Sequence, residues 1–322
     1  MTSVRDIVAA DLDRVVELDR RLTGTARRTF HEKRLKAAQA NPDSFVAVAV
    51  GDGALSGYAF AHILDGEFGG VAPVGVVDAL GVDPDQRGRG HARALMAGLE
   101  AAMVKRGVRE VVTQADWTEH GMVGFFQSAG FALAPRLVLE RGTNALDFDI
   151  PAAKPERRGE LNLSDPSGDD FAALSRDLVP VRSMSDDDYP FIVAVDRKLS
   201  GRDRAPYYRR KVAEVLKESG VRVSLVAEID GQFAGFVMAR TDFGAFGRSE
   251  PTAVLDTIGV DPAYARANVG RALMSQLLTN LGSLNVEKLQ TQVAWNDFPL
   301  LGFLARCGFT PSQRLSFTRR LG

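Results

Sequence analysis

One cysteine, Cys307, stands in the 322 residues, so no disulfide can form within the chain and a thiolate metal cluster is excluded. No apolar run approaches the roughly 18 residues that span a bilayer; residues 45–50 are among the longest. The opening MTSVRDIVAADLDRVVELD carries charges where a signal peptide needs its apolar stretch. With 40 basic and 41 acidic residues neither sign dominates, which argues against a general nucleic-acid or membrane-surface binder. Together these absences point to a cytoplasmic protein, and no metal is expected. What is present, 45% hydrophobic and 25% charged residues, is the composition of a globular chain long enough for two ordinary domains.

The sequence repeats itself once. VRDIVAADLDRVVELDRRLTG (4–24) aligns with VRSMSDDDYPFIVAVDRKLSG (181–201) at an offset of 177. GVDPDQRGRGHARALM (81–96) aligns with GVDPAYARANVGRALM (259–274), and TQADWTEHGMVGFFQSAGF (113–131) with TQVAWNDFPLLGFLARCGF (291–309), both at 178. A constant offset over most of each half means two copies of one domain and not a short-period solenoid. Residues 1–141 and 178–322 form the two domains. Residues 142–177, rich in Pro, Gly and charge, read as a linker with a short helix near 169–177.

Within each copy the pattern reads as a short strand, helices near 11–22 and 29–40, and strands at 44–50, 56–64 and 74–82. A long helix follows at 91–105, then a strand at 110–114, a short helix at 122–128 and a closing strand at 133–140. This order predicts an α/β domain built on a mixed, largely antiparallel sheet flanked by helices, with the long helix of the second copy near 269–281. The most informative stretch is Gln86-Arg87-Gly88-Arg89-Gly90-His91-Ala92. It joins the apolar run 76–82 to the helical pattern Ala92, Leu95, Met96, Leu99, Met103. A strand that turns through glycines into a helix presents unpaired amides at the positive end of the helix dipole, a site for a phosphorylated ligand. Gly88 and Gly90 allow close backbone approach, and Arg87 and Arg89 add donors suited to phosphate. A solvated basic turn that merely caps the helix is the plainer reading of the same residues.

Three features in order resemble the GNAT acetyltransferase superfamily. They are the strand ending Leu80-Gly81-Val82-Asp83-Pro84, the loop Arg87-x-x-Gly90-x-Ala92, and Phe125-Phe126-x-x-x-Gly130-Phe131. The resemblance covers both halves. It implies acetyl-CoA as co-substrate, held at Arg87, Gly88, Arg89, Gly90, His91, Ala92 and Arg93. It further implies direct attack of an amine on the thioester, with the oxyanion met by backbone amides at Leu80, Gly81 and Val82. The partner it implies is a small-molecule or peptide amine. Tandem copies imitate the dimer of a single-domain ancestor, so monomer and homodimer both stay open. In the second copy Gly88 becomes Arg266, Gly90 becomes Asn268 and Arg87 becomes Ala265. Asparagine tolerates the left-handed turn, yet its side chain intrudes where a diphosphate would lie. The active site is therefore expected in the first copy.

Proton handling departs from the family pattern. The tyrosine that many relatives place in the late helix is Phe126 here and Leu304 in the copy, and neither donates a proton. The glutamate often found on the strand after the long helix is Gln114. Candidate bases are Asp78, Asp116, Glu119 and His120, with Asp78 and Glu119 foremost. Asp78 lies in an apolar strand and faces cleft or core according to register; it serves either as a base or as an anchor for a neighbouring loop. Arg27, in the motif Asp19-x-x-Leu22-Thr23-Gly24-x-x-Arg27, is the candidate for a substrate carboxylate or phosphate, the alternative being an Asp–Arg bridge that fixes a helix corner. A non-catalytic acyl-CoA-binding protein is the competing expectation for the whole chain.

Overall fold

A computed structural model of the chain describes residues 3–51, 54–65, 72–143, 179–218, 223–242, 245–248 and 252–322. From residue 144 the expected linker and its short helix lie outside the described residues. The first copy runs β1 (Val4–Asp6), α1 (Leu12–Thr23), α2 (Arg28–Ala40), β2 (Phe45–Val50), β3 (Gly57–Asp65) and β4 (Pro73–Val82). It continues with α3 (His91–Val104), β5 (Glu110–Asp116), α4 (His120–Ser128), β6 (Ala132–Leu133) and β7 (Arg136–Gly142). The second copy repeats the order as β8 (Val181–Ser183), α5 (Tyr189–Ser200), α6 (Ala205–Ala213), β9 (Leu225–Ile229), β10 (Gln232–Asp242) and β11 (Thr252–Val260). Then come α7 (Val269–Ser283), β12 (Lys288–Ala294), α8 (Phe298–Arg306), β13 (Thr310–Pro311) and β14 (Arg314–Arg320). No helix among the described residues is long and apolar enough to cross a membrane.

The strands form two seven-stranded mixed sheets, in the orders β1-β2-β3-β4-β5-β14-β6 and β13-β7-β12-β11-β10-β9-β8. The α/β architecture expected from the sequence is present in both. The last long strand of each copy, however, joins the other copy's sheet. β14 pairs antiparallel with β5 from Arg314 opposite Asp116 to Arg320 opposite Glu110, while β7 sits between β13 and β12. One compact unit therefore gathers Met1–Val138, Asp242–Pro251 and Ser312–Gly322, and the other Leu139–Thr241 and Thr252–Pro311. Sequence repeat and folded unit do not coincide: the bounds at 141 and 178 divide the repeat, whereas each sheet is completed by the opposite copy.

Strand periodicity places the core of the first unit on both faces of its sheet. Val46, Val48, Val50, Ala59, Ala61 and Val77 point to one face and meet Leu95, Met96, Leu99 and Met103 of α3. Ala47, Ala49, Tyr58, Phe60 and Ala79 point to the other and meet Val15 and Leu18 of α1 with Phe30 and Leu35 of α2. Helix α1 stops because Gly24 takes φ +78° and its N–H donates to the Arg20 carbonyl at 3.0 Å, a left-handed cap that glycine adopts without strain.

Candidate active site

Strand β4 leaves β5 after three paired residues: Val74 with Glu110, Gly75 with Val111 and Val76 with Val112. The Thr113 hydroxyl donates to the Val77 carbonyl at 3.0 Å and pins the apex of this fork. On its other edge β4 stays antiparallel to β3, except at a bulge: Phe60 pairs with Ala79 and Ala61 with Val77, which leaves Asp78 without an opposite residue. A bulge re-aims the side chain it carries. Leu80, Gly81 and Val82 lie beyond the fork, with ladder partners in β3 alone. A Cβ on Gly81 would fall 2.7 Å from the Tyr58 ring, so glycine is needed there for packing against that ring.

Asp83 fixes the end of β4. Its carboxylate accepts from Arg14 at 2.7 Å and from Arg21 at 2.8 Å, both on α1, and from the Asp85 amide at 3.1 Å. Burial pushes this carboxyl up, and the amide and the two arginines outweigh it and hold it below the ordinary carboxylate range. The chain then turns through Gly88 at φ +77° and Gly90 at φ +83°, with nothing within 4 Å of where a Cβ would stand on either. Gly90 caps α3 and accepts from the Ala94 amide at 3.0 Å, so the amides ahead of Ala94 open the helix without intrahelical acceptors. Arg87, Arg89 and Arg93 are exposed, His91 and Ala92 partly so. Nδ1 of His91 is buried with no hydrogen-bond partner among the described residues. Open space over two glycines, first-turn amides and three guanidinium groups make a donor set that fits a diphosphate.

Asp78 is fully buried and points to the α1–α2 face, where Arg34 Nε of α2 lies 3.1 Å from Oδ2 and His62 Nδ1 of β3 lies 2.8 Å from the same oxygen. Phe45 of β2 stacks on the His62 ring, and Arg34 lies over both Phe30 and Phe45. Beside this set, Phe246 packs against Val74, Val76 and Val112 at the fork, and its carbonyl accepts from Arg314 of β14 at 2.8 Å. His62, Arg34, Phe246 and Arg314 carry no motif and were missed by sequence reasoning. Aligning the repeat offers one signal: Arg34, His62 and Asp78 correspond to Lys211, Arg240 and Asp256, so a carboxylate with two basic neighbours recurs.

Arg27 is buried in a bidentate pair with Asp19, the helix-corner bridge of the two arrangements considered above. Its Nε donates to Oδ2 at 3.0 Å, its other contact is to Oδ1, and its own amide also donates to Oδ2. His31 Nε2 lies 3.1 Å away, and the Tyr58 hydroxyl donates to Oδ1 at 3.1 Å. Burial pushes the Asp19 carboxyl up, but His31 and Arg27 beside it hold it well below the ordinary range. Burial in turn pushes His31 down. The second copy keeps the pair as Asp196 with Arg204 and exchanges the donors: Tyr208, at the position of His31, reaches Asp196 at 2.9 Å, and Phe236 replaces Tyr58.

Glu119 is exposed at the N-terminus of α4, with His120 beside it, and Asp116 accepts from the Thr118 amide and hydroxyl. Glu119 and His120 are exposed and Asp116 is half-buried, whereas Asp78 is buried. Phe126 is buried among Phe125, Phe131 and Phe317. In the second copy Arg266 and Asn268 hold φ +70° and +59°, so the left-handed turn survives without glycine. This costs about 1–2 kcal/mol relative to right-handed backbone for Arg266 and less for Asn268. There too the Thr291 hydroxyl donates to the Leu255 carbonyl at 2.9 Å, repeating the pinned fork.

The profile of the acetyltransferase (GNAT) family matches residues 12–131 and 181–309. Among solved structures, a tandem GNAT protein from the clavulanic acid biosynthesis pathway is 18% identical over 100% of this chain and 99% of its own, with a TM-score of 0.62. A GCN5-related N-acetyltransferase from Sphaerobacter thermophilus is 16% identical over 99% of this chain and 95% of its own, with a TM-score of 0.59. The glucosamine N-acetyltransferase region of a fungal multi-domain β-N-acetylglucosaminidase aligns at a TM-score of 0.64 with 14% identity, over 99% of this chain and 38% of that one. No curated protein sequence matches the chain. These likenesses speak for the fold, and the family match covers both copies: the chain belongs to the GNAT acetyltransferase family, as a tandem of two such domains.

Proposed function

We propose that this protein transfers an acetyl group from acetyl-CoA to a primary amine, carried by a small molecule or a peptide, at a site in its first unit. The carrying observation is the contrast between the two helix-entry turns. Gly88 and Gly90 leave open space over the amides of α3, whereas Arg266 and Asn268 put side chains at the same turn of α7. In this reading Arg87, Gly88, Arg89, Gly90, His91, Ala92 and Arg93 hold the diphosphate. The stretch Leu80, Gly81 and Val82 of β4 lies beyond the fork, and its amides that turn away from β3 are suited to an oxyanion. Bound acetyl-CoA supplies an activated acyl group. The residues of the chain supply orientation and handling of the acceptor's proton. A lysine-like amine with a pKa of ~10.4 needs such help at neutral pH, since losing its proton there costs about 4–5 kcal/mol. Glu119, exposed at the start of α4, is suited to attract a cationic acceptor.

Calorimetry with acetyl-CoA is expected to give one equivalent per chain, lost in Gly90→Glu, whose carboxylate would occupy the diphosphate position. Unchanged affinity in that variant, or two equivalents in the parent, would overturn the assignment. Phe126 favours a second reading. With no phenol in the late helix to protonate a leaving thiolate, the same site suits a thioester-binding protein without turnover. Release of free coenzyme A in the presence of a broad amine panel separates the two.

A further inference from the structure

The bulge at Asp78 does more than bend β4. It brings a carboxylate, an imidazole and a guanidinium from three elements together at the level of the fork, since His62 lies opposite Val76, the last β4 residue paired with β5. The Asp78 side chain has no exposed surface, so it cannot itself meet the proton of an incoming ligand; the His62 side chain keeps 9%. A carboxylate only accepts hydrogen bonds, so Nδ1 is the donor in the 2.8 Å contact to Asp78, and in the neutral imidazole that arrangement places the lone pair on Nε2. Among the described residues the bond to Asp78 is the one hydrogen bond of the His62 ring. Arg34 on the same Asp78 oxygen and Phe45 stacked on the ring hold the arrangement.

Resting on the acyltransferase reading of this cleft, we infer that His62 is the catalytic base that accepts the acceptor amine's proton, with Asp78 and Arg34 as its positioning residues. In this step an N–H bond of the ammonium breaks, a bond from that proton to Nε2 forms, and the imidazolium returns the proton to solvent, leaving the nitrogen lone pair free. The second copy supplies the contrast. There the carboxylate Asp256 is met by Arg240 at 3.2 Å in place of His62 and by buried Lys211 at 3.2 Å in place of Arg34. A guanidinium holds its proton at any working pH and takes no further one, so the copy that lost the glycine turn also lost the base.

Among the described residues the charged groups around the ring are Asp78 from β4 and Arg34 from α2. The β2 neighbour, Phe45, is uncharged, and Arg314 and Arg248 lie over the Phe246 ring beyond. The test uses the full chain with acetyl-CoA and a panel of primary amines. His62→Gln is expected to lose about 100-fold in kcat with its acetyl-CoA Kd unchanged, and imidazole added to His62→Ala to restore turnover. In the ligand-free protein, nitrogen NMR is expected to find the His62 proton on Nδ1, a signature that Asp78→Asn shifts as it slows turnover. An active parent whose His62→Gln variant keeps its kcat and pH profile overturns the inference and leaves the acyltransferase reading standing. So does a His62 proton fixed on Nε2 in the parent, which decides the matter even where a variant fails to fold. A parent that binds acetyl-CoA and releases no coenzyme with any amine overturns both.

Discussion

At the scale of single residues, charge is buried in this protein where it is paired, and the pairing sets a pH dependence. The Asp19 carboxyl is fully buried, and His31 and Arg27 hold it well below its ordinary value. A carboxyl depressed on folding stabilises the native state above the unfolded value, near pH 4, and that contribution is lost as pH falls through the folded value. Arg27→Ala strands a buried carboxylate, so a loss of about 3–5 kcal/mol is expected near neutral pH. The loss should shrink as acid neutralises Asp19 in the variant. Urea denaturation of parent and variant at pH 7 and pH 4 checks both size and sign, and a difference that grows with acidification would refute the pairing. The sequence displayed the Asp–Arg spacing in both copies but not the phenol that completes it. That phenol comes from β3 in one copy and from α6 in the other, so no single aligned column carries it.

Elements carry the next level of organisation, and here much was legible. The repeat, the strand-to-helix turn and the order of strands follow from hydrophobic period and glycine chemistry, which act over a few residues. The fork was not legible, because strands that part do so through one hydroxyl and a bulge, and neither changes the pattern of apolar residues. Thr113 and Thr291 hold equivalent positions and donate to Val77 and Leu255 at 3.0 and 2.9 Å. Thr113→Val keeps the shape and removes the donor, leaving a buried carbonyl with one partner fewer. A destabilisation of about 1–3 kcal/mol is expected, with Thr291→Val costing a similar amount; thermal or urea unfolding of the two variants measures it. Wild-type stability in both would show that the forks are held by backbone geometry alone. A drop confined to one would mean that the two copies have diverged in how the apex is held.

Across the whole molecule, the exchange of β7 and β14 is the feature that sequence could least reveal. The two strands read RLVLERG and RLSFTRR at the same place in the repeat, so periodicity and propensity are silent on which sheet each one enters. Physical consequences differ sharply. β14 pairs with β5 along seven residues, and its Thr318 and Arg319 side chains donate to Glu110 at 2.7 Å and Glu100 at 2.6 Å. Phe317 is buried in the same core as Leu95 and Phe126. A fragment ending at residue 141 therefore lacks a strand between β5 and β6 and exposes the edge of β5, an invitation to aggregation. It is expected to stay unfolded or to aggregate, while residues 1–135 fused through a flexible linker to 312–322 are expected to fold and to bind acetyl-CoA. Because each unit takes a strand from the other copy, denaturant should unfold the intact chain in one cooperative transition, seen alike by far-ultraviolet circular dichroism and by the fluorescence of Trp117 and Trp295. A soluble, cooperatively folded 1–141 fragment would show that the copies close their own sheets, and two separated transitions in the intact chain would argue the same way.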